Sequence, residues 1–484
     1  MKTLTTGANP VFSLTRNLFR DIPQAYVASK TTNNPVRFMV DLADASIQIL
    51  RNGELYKQYK RLGGGHSSPI AADRNLLKQS KTAVLPKDMK KDLLPRLYYA
   101  YENALNAVES APRLAEFKRV RKGGTPDDLQ KALFAAQDVT VNFKRRGKLV
   151  RDLDKAFPYM NAALQGLDQF ARVFKDNPVR ATTKAVLALT IPSVLTYMWN
   201  HDDPNYKKLS NRVKDSFILI PKGDGTFFKI AKPQELGTLF SDLPERLLRK
   251  FQDDDPAAFR DFADRIRTTF TPPGVQGALK EGGIIDRMLG IGGETILGPL
   301  SDLAANKTFS GSPIVPGYLQ PLSPELQTDA KTTKIATWIG EHTGTSPKQL
   351  DYLARQYTGF IGQFGQPLFS PGGDFGDALT QQVTADPVFS NDISTEFYKY
   401  KGKLDQVNND SDLRKPPAWY DDSLRKKLNK ISKKMSAIRK DVRVVQNDES
   451  ISNKEKRARL RALQQQINDL AEGGNELARG KVPY

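Results

Sequence analysis

The sequence predicts a mainly α-helical protein: an irregular bundle of many helices with one β-hairpin, a middle region rich in Gly and Pro, and a C-terminal antiparallel helical hairpin. Two observations predict this fold class. Apolar residues in the first 200 positions recur at intervals of three and four, and strand-like alternation is rare. In the tail the apolar spacing becomes a heptad. We expect three domains: a helical module at 1–272, short helices and loops at 273–420, and a basic helical hairpin with its tail at 421–484.

Two helices have clear signals in the first half of the chain. Leu93, Leu97, Ala100 and Ala104 repeat at helical spacing and predict one of them. Thr125 begins another, because Thr-Pro-Asp-Asp supplies an N-cap, a proline at the first helical position and two acids in the first turn. This predicts a helix over residues 126–136. Between them, the glycine-rich segment 62–72 has no sustained period and is predicted to be a loop.

The most apolar stretch is AVLALTIPSVLTYMW, from Ala185 to Trp199. It is shorter than the roughly 20 residues that a membrane-spanning helix needs, and Pro192 interrupts it, so we expect no true transmembrane helix. A buried core helix is the leading interpretation. Insertion into a membrane after a conformational change and a surface for a partner helix remain as alternatives.

The period changes at residues 216–230, where two runs rich in Ile and Phe flank Lys-Gly-Asp-Gly. The glycines supply the positive φ angles of a tight turn, so this segment predicts a β-hairpin. Two strands alone are marginally stable, and we expect the hairpin to lie on residues 194–201 or 234–250. From about 272 to 420, dense Gly and Pro predict short helices joined by long loops.

The tail carries a heptad seam. Its members are Leu424, Leu428, Ile431, Met435, Ile438, Val442 and Val445. Ser452 and Glu455 form a capping box that starts a second amphipathic helix, which we expect to stop at Gly473-Gly474. Two such helices joined by a short turn predict a helical hairpin with a basic outer face.

Several classes of site are excluded or disfavoured. The chain has no Cys and only three His, so a disulfide scaffold, a Cys-ligated metal and a cysteine nucleophile are excluded. No phosphate-binding G-x-x-x-x-G-K-[ST] loop occurs. Glu109 is explained by a helical pair with Arg113, and the run Asp253 to Asp255 is explained as an acidic helix cap. We therefore expect no enzymatic activity, no cofactor and no metal, and no secretory signal is visible.

The formal net charge is +19, and it is unevenly distributed. Residues 1–250 and 401–484 carry net charges of +18 and +8, whereas residues 251–400 carry −7. The basic ends predict a polyanionic partner, either DNA bound without sequence specificity or an anionic membrane, although helix capping and solubility explain part of the excess. The candidate polyanion-binding residues are Lys118, Arg119, Arg121, Lys122, Lys144, Arg145, Arg146, Lys148, Arg151, Lys426, Lys427, Lys430, Lys433 and Lys434.

Several strings occur together in a characteristic order. They are NPVFSLTRNLFRD at 9–21, DVTVNFKRRG at 138–147, FPYMNAALQGLDQF at 157–170, WNHDDPNYKKL with the hairpin that follows it, and PQELGTLFSDLPERLL. Over about residues 5–250 the chain resembles the large polyvalent protein associated domain of the kind numbered thirty-eight. The resemblance implies a mostly helical module of giant phage and prophage proteins. Its recurring polar positions, which we expect to be structural, are Asn17, Arg20, Asp21, Asp138, Thr140, Asn142, Asn161, Gln165 and Asp203.

The resemblance also implies a setting. Members of this family are packaged in the virion and are thought to enter the host with the DNA. We expect a non-enzymatic internal virion or DNA-ejection component that binds DNA, membrane or other ejection proteins, with self-association as an open alternative. The chain is either a short stand-alone member or the C-terminal part of a giant polyvalent protein. The alternatives are an assembly module that docks through its helical tail, and an enzyme with an unrecognised site.

Overall fold

A computed structural model of the 484-residue chain describes most of the molecule. The described residues are 17–64, 93–121, 123–141, 160–255, 258–259, 261–271, 298–304, 306, 313–317, 319–320, 322–329, 332–358, 383–390, 392–409, 415–448 and 450–483. They form two compact units. The first comprises residues 1–202, 211–220 and 228–294, and the second comprises 203–210, 221–227 and 295–484. The predicted middle region and the tail therefore fall largely in one unit.

The mainly α-helical class is confirmed. The first unit holds α1 (Asn17–Ala28), α2 (Pro35–Leu50), α3 (Glu54–Arg61), α4 (Leu93–Val120), α5 (Pro126–Asp138), α6 (Met160–Asp176), α7 (Pro178–Ala185), α8 (Ile191–Asn200), α10 (Asn211–Ser216), α11 (Gln234–Gly237), α12 (Leu243–Phe251) and α13 (Phe262–Phe270). The second holds α9 (Pro204–Lys207), α14 (Gly298–Ala304), α15 (Lys334–Thr343), α16 (Pro347–Thr358), α17 (Asp392–Asn409), α18 (Asp422–Asn447) and α19 (Asn453–Ala478). The strands are β1 (Phe217–Pro221), β2 (Phe227–Ala231) and β3 (Thr384–Ala385), in the order β1-β2-β3.

The first unit is built on close packing of α2 against α4. Phe38, Leu42, Ala45 and Ile49 form the buried stripe of α2. The facing surface of α4 contains several alanines, among them Ala111, and such small side chains let the helices approach closely. The predicted N-cap of α5 is confirmed, since the hydroxyl of Thr125 accepts a hydrogen bond from the Asp128 amide at 3.2 Å.

A π-helical segment, Val186–Thr190, joins α7 to α8. A second one, Thr238–Asp242, joins α11 to α12 and packs beside the first. The hydroxyl of Thr190 donates to the carbonyl of Phe240 at 2.6 Å, and Ser193 is hydrogen-bonded to Ser241. In a π-helical turn the backbone hydrogen bonds run from residue i to residue i+5, which rotates the side chains that follow it relative to a regular α-helix. Here the two segments meet through polar side chains.

The expectation that Ala185–Trp199 is a buried core helix is only half right. Leu189, Ser193 and Tyr197 are buried. The opposite face is exposed and carries Leu187, Ile191, Leu195, Met198 and Trp199, the last 67 % exposed. Apolar composition predicted burial but could not reveal that neighbouring helices cover one side of this helix. No described helix is both long enough and apolar enough to span a membrane.

The predicted β-hairpin is confirmed. Gly223 and Gly225 adopt φ angles of 83° and 75° in its turn, which only glycine adopts at little cost. The Lys222 amide donates to the carbonyl of Thr226 at 3.0 Å. The stem lies on α8, where the side-chain amide of Asn200 donates to the Leu219 carbonyl at 2.6 Å. The two-residue strand β3 was not predicted, because so short a segment has no recognisable alternation.

In the tail, α18 and α19 form as predicted and pack along each other, with α17 as a third helix. The predicted stop at Gly473-Gly474 is wrong, because α19 continues to Ala478. A Cβ on Gly474 would lie 2.4 Å from Cε2 of Phe397. This glycine therefore permits close packing of α17 on α19 and does not end the helix. The 18-residue α17 is also longer than the short helices expected there.

Within the described residues, the Asp253 to Asp255 run does not cap a helix. Asp253 accepts a hydrogen bond from the hydroxyl of Tyr197, and Asp255 forms an ion pair with Arg249 at 2.5 Å. The next described helix, α13, begins only after Asp261. These acids instead satisfy buried donors of the first unit.

Candidate nucleic-acid interface

Helix α18 presents a row of lysines to solvent. Leu424, Leu428, Met435 and Val442 are buried against α17 and α19, so the heptad seam fixes how the helix is rotated. At 3.6 residues per turn the lysines then fall on less than half of the circumference, turned away from that seam. The exposed members are Lys426, Lys427, Lys430, Lys433, Lys434 and Lys440, which we call the lysine face.

Most of the lysine face is free of internal partners. Lys426 pairs with Asp422 at 2.8 Å, an arrangement that stabilises little because both side chains are exposed. Among the residues that the structure describes, the other five have no carboxylate within 4.0 Å. Two other cations of α18 have internal roles, since Arg439 donates to the Tyr398 hydroxyl at 2.9 Å and Arg425 pairs with Asp422. Five unpaired ammonium groups can therefore contact an external anion at no internal cost.

The candidate residues at the end of α4 make internal contacts, unlike most of the lysine face. They are Lys118, Arg119 and Arg121. Lys118 pairs with Asp44 at 2.8 Å, and Arg121 donates to the side chain of Gln58. Arg119 is buried beside Glu116 and Asp41, at 3.2 and 3.6 Å, and burial lowers its pKa. These three cations hold α4 to α2 and α3. The cluster is therefore a weaker candidate for an external phosphate than α18.

Six further candidates lie outside the described residues. They are Lys122, Lys144, Arg145, Arg146, Lys148 and Arg151. Polyanion binding through them stays a prediction.

The family-motif positions that the structure describes make local contacts. Arg20 pairs with Asp21 at 2.9 Å, and Asp138 with Arg172 at 3.3 Å. The hydroxyl of Thr140 accepts from Nε of Arg113 at 2.6 Å, and Asp203 caps α9 by accepting from the Asn205 amide at 2.7 Å. Gln165 lies half-buried in α6. Asn142 and the side chains of Asn17 and Asn161 lie outside the described set.

A buried charge network around α12 was missed by the sequence reasoning. Lys232 has a fully buried side chain and binds Glu245 at 2.8 Å, Asp242 at 3.2 Å and the Lys214 carbonyl at 2.9 Å. Beside it, Arg246 pairs with Asp215 at 2.5 Å. In the sequence these residues resemble ordinary surface charges at the ends of short helices, so only the fold shows that they are buried.

Burial shifts the protonation of this network. It raises the pKa of Asp242 to about 7 and lowers the pKa of Lys214 to about 7, since each charged form loses hydration. Burial also acts to lower the pKa of Lys232. The carboxylates of Glu245 and Asp242 have the opposite effect and are stronger together, so the pKa of Lys232 is raised. Since these charges satisfy one another away from solvent, the network is a structural element of the first unit.

No metal site is found within the described ranges, where no three His, Asp or Glu side chains cluster to hold an ion. The expectation that the protein needs neither a cofactor nor a metal stays a prediction.

Residues 203–389 match the family model of the large polyvalent protein associated domain 38. The resemblance to this family is thus confirmed for these residues, and it supports a phage-associated polyvalent protein. The match begins inside the WNHDDPNYKKL segment and extends beyond residue 250, whereas the earlier motifs lie before it. It contains the buried charge network but not α18. No curated protein and no solved structure matches the chain.

Proposed function

We propose that this protein is a non-enzymatic internal component of a phage or prophage particle, which enters the host with the genome and binds duplex DNA without sequence specificity. The single observation that carries the DNA part is the lysine face of α18, where five ammonium groups have no carboxylate within 4.0 Å in the described part of the chain. The matched polyvalent protein associated domain supports the phage setting.

The dimensions of the lysine face suit a DNA backbone. From Lys427 to Lys440 the helix advances by about 20 Å at 1.5 Å per residue. Successive phosphates on one DNA strand advance by about 3.4 Å along the axis of the duplex, so the row spans several of them. Lysine is a flexible point charge that contacts phosphates without reading bases, which predicts binding that is independent of sequence.

The test compares two variants with equal loss of charge. In the face variant, Lys427, Lys430, Lys433, Lys434 and Lys440 become Gln. In the dispersed variant, the exposed Lys131, Lys250, Lys334, Lys415 and Lys481 become Gln. Fluorescence anisotropy with a labelled duplex at low salt should show at least tenfold weaker binding for the face variant and a much smaller loss for the dispersed variant. Equal losses would mean that only net charge matters, and no binding by the wild type would refute the proposal.

A second candidate function is assembly through the same face. Val444 lies on α18 one turn beyond Lys440 and is 68 % exposed, and an apolar side chain contributes more to a protein interface than to a phosphate contact. The substitution Val444→Lys distinguishes the two functions. It should tighten DNA binding if α18 contacts phosphates, and it should abolish docking on a virion protein if α18 is an assembly surface.

A further inference from the structure

Helix α2 is apolar on two faces. One stripe, formed by Phe38, Leu42, Ala45 and Ile49, is buried, and its last three members share an apolar cluster with α4. The other is exposed, with Val36 at 70 % and Val40 at 62 %. Helices that are apolar all round normally lie inside a protein, so α2 has the composition of a helix with a neighbour on each side.

The exposed stripe has the spacing of a helix-packing seam. It consists of Val36, Val40, Ala43, Ile47 and Leu50, at intervals of 4, 3, 4 and 3. This is the heptad repeat through which two helices pack side by side. In that register one flank of the seam carries Arg37, Asp44 and Arg51, and the other flank carries Met39 and Ser46.

An apolar cavity opens beside the seam on the flank of Met39 and Ser46. Its volume is about 420 Å³. Met39, Ala43 and Ser46 of α2 line one side, and Ala188 and Leu189 of the first π-helical segment line another. Next to these, Leu187 and Ile191 are exposed and form a second apolar ridge. The two ridges with the cavity between them have the form of a groove that accepts a helix.

The polar groups of the cavity are already satisfied. The hydroxyl of Ser46 donates to the Leu42 carbonyl at 2.9 Å. Lys232 also lines the cavity, but its ammonium group is bound by Asp242, Glu245 and the Lys214 carbonyl. The cavity therefore suits an apolar side chain and offers no recognition for a polar ligand.

The charges beside the seam select the partner. Arg37 and Arg51 are exposed at its two ends, and neither has a carboxylate within ion-pair distance among the described residues. The carboxylate of Asp44 is already paired with Lys118. This flank is therefore basic. An antiparallel second copy of α2 would place its end arginines opposite like charges, which disfavours a copy of this chain.

A lipid surface fits less well. Helices that lie on membranes pair one apolar face with a cationic face that points to water. The second face of α2 is instead apolar and buried on α4, and a concave site does not match a flat bilayer.

We propose that α2 and its cavity form a docking groove for an amphipathic helix of another protein, with an apolar seam flanked by carboxylates. One large apolar residue of that helix enters the cavity, and its acidic flank meets Arg37 and Arg51. This site is independent of the lysine face, because it lies in the first unit and binds through buried apolar area.

The test uses the full chain and two designed peptides of three heptads with Leu at the a and d positions. One peptide carries Glu at the flanking positions, and the other carries Lys. Fluorescence anisotropy should show saturable binding of the Glu peptide, at least tenfold tighter than that of the Lys peptide. The substitution Ala43→Glu should weaken it at least tenfold. The matched control Ala458→Glu changes an exposed helical alanine outside the groove and should leave binding unchanged.

A second variant keeps the test decisive if Ala43→Glu impairs folding. In Arg37→Glu/Arg51→Glu, both changes are at exposed positions, and the preference should reverse toward the Lys peptide. Equal binding of both peptides, or Glu-peptide binding that Ala43→Glu leaves intact, would overturn the proposal. It would also be overturned by a dimer in light scattering that Ala43→Glu dissociates, or by binding to neutral liposomes that Ala43→Glu abolishes.

Discussion

At the scale of single residues, buried charge is the feature that the sequence conceals. Lys214, Asp215, Lys232, Asp242, Glu245 and Arg246 have the composition of a solvated surface, yet all are buried around α12. The two π-helical segments bring these side chains and Ser193 together, and no local sequence pattern predicts such a bulge. In contrast, the cap at Thr125 and the turn glycines Gly223 and Gly225 were predictable, because their roles depend on local chemistry alone.

Removal of Lys232 should be strongly destabilising. The substitution Lys232→Met leaves Glu245 buried without its cation and leaves Asp242 with Arg265 alone at 3.3 Å, and the loss of one partner from a buried ion pair costs about 3 to 5 kcal/mol. Urea denaturation measures the change in the free energy of unfolding. The control Lys222→Met alters an exposed lysine of the hairpin turn and should cost under about 1 kcal/mol. Similar values for the two variants would contradict the role of the network.

The protonation of Lys214 predicts a dependence of stability on pH. Its folded-state pKa of about 7 lies below that of the unfolded chain, so between pH 7 and about 10 the unfolded state binds more protons. Stability should therefore gain up to about 1.4 kcal/mol per pH unit from this group as pH rises. Chemical denaturation across this range measures it. The gain should disappear in Lys214→Met, and parallel curves for the two proteins would refute it.

At the scale of elements, the sequence is most informative where an amphipathic pattern is long. The heptads of α18 and the capping box of α19 predicted two helices that the structure contains. The prediction failed at Gly473-Gly474, since glycine either ends a helix or admits a close neighbour, and only the position of Phe397 distinguishes the two roles. In the same way, apolar composition located α8 but could not show which of its faces is covered.

These adjacent glycines provide a matched test of the tail packing. The substitution Gly473→Ala adds a methyl group into open space and should stabilise the protein by about 1 kcal/mol through helix propensity. Gly474→Ala gains the same propensity but forces its methyl group against the ring of Phe397, so it should be destabilising overall. Thermal unfolding of both variants measures the difference. Stabilisation by Gly474→Ala would show that α17 and α19 pack less closely than described.

At the scale of the whole molecule, the two proposed binding surfaces lie in different units and differ in chemistry. The apolar groove of the first unit is concave and suits a partner helix. The lysine face of the second unit is extended and suits a polyanion. The net charge of the two ends predicted a polyanionic partner. It could not separate Arg119, whose side chain is 8 % exposed beside Asp41 and Glu116, from the lysines of α18 that have no carboxylate within 4.0 Å among the described residues. To distinguish them, one must know which side chains are buried and which are paired, and a count of charges in the sequence gives neither.

The most direct test of the central claim is the salt dependence of duplex binding. Each phosphate that a lysine contacts adds about 0.9 to the slope of log affinity against log salt concentration. Wild-type protein should therefore show a steep negative slope, and the face variant should lose up to about 4.5 of it. The dispersed variant should keep nearly the wild-type slope. A wild-type slope near zero, or one that the face variant leaves unchanged, would contradict the assignment of α18 to DNA.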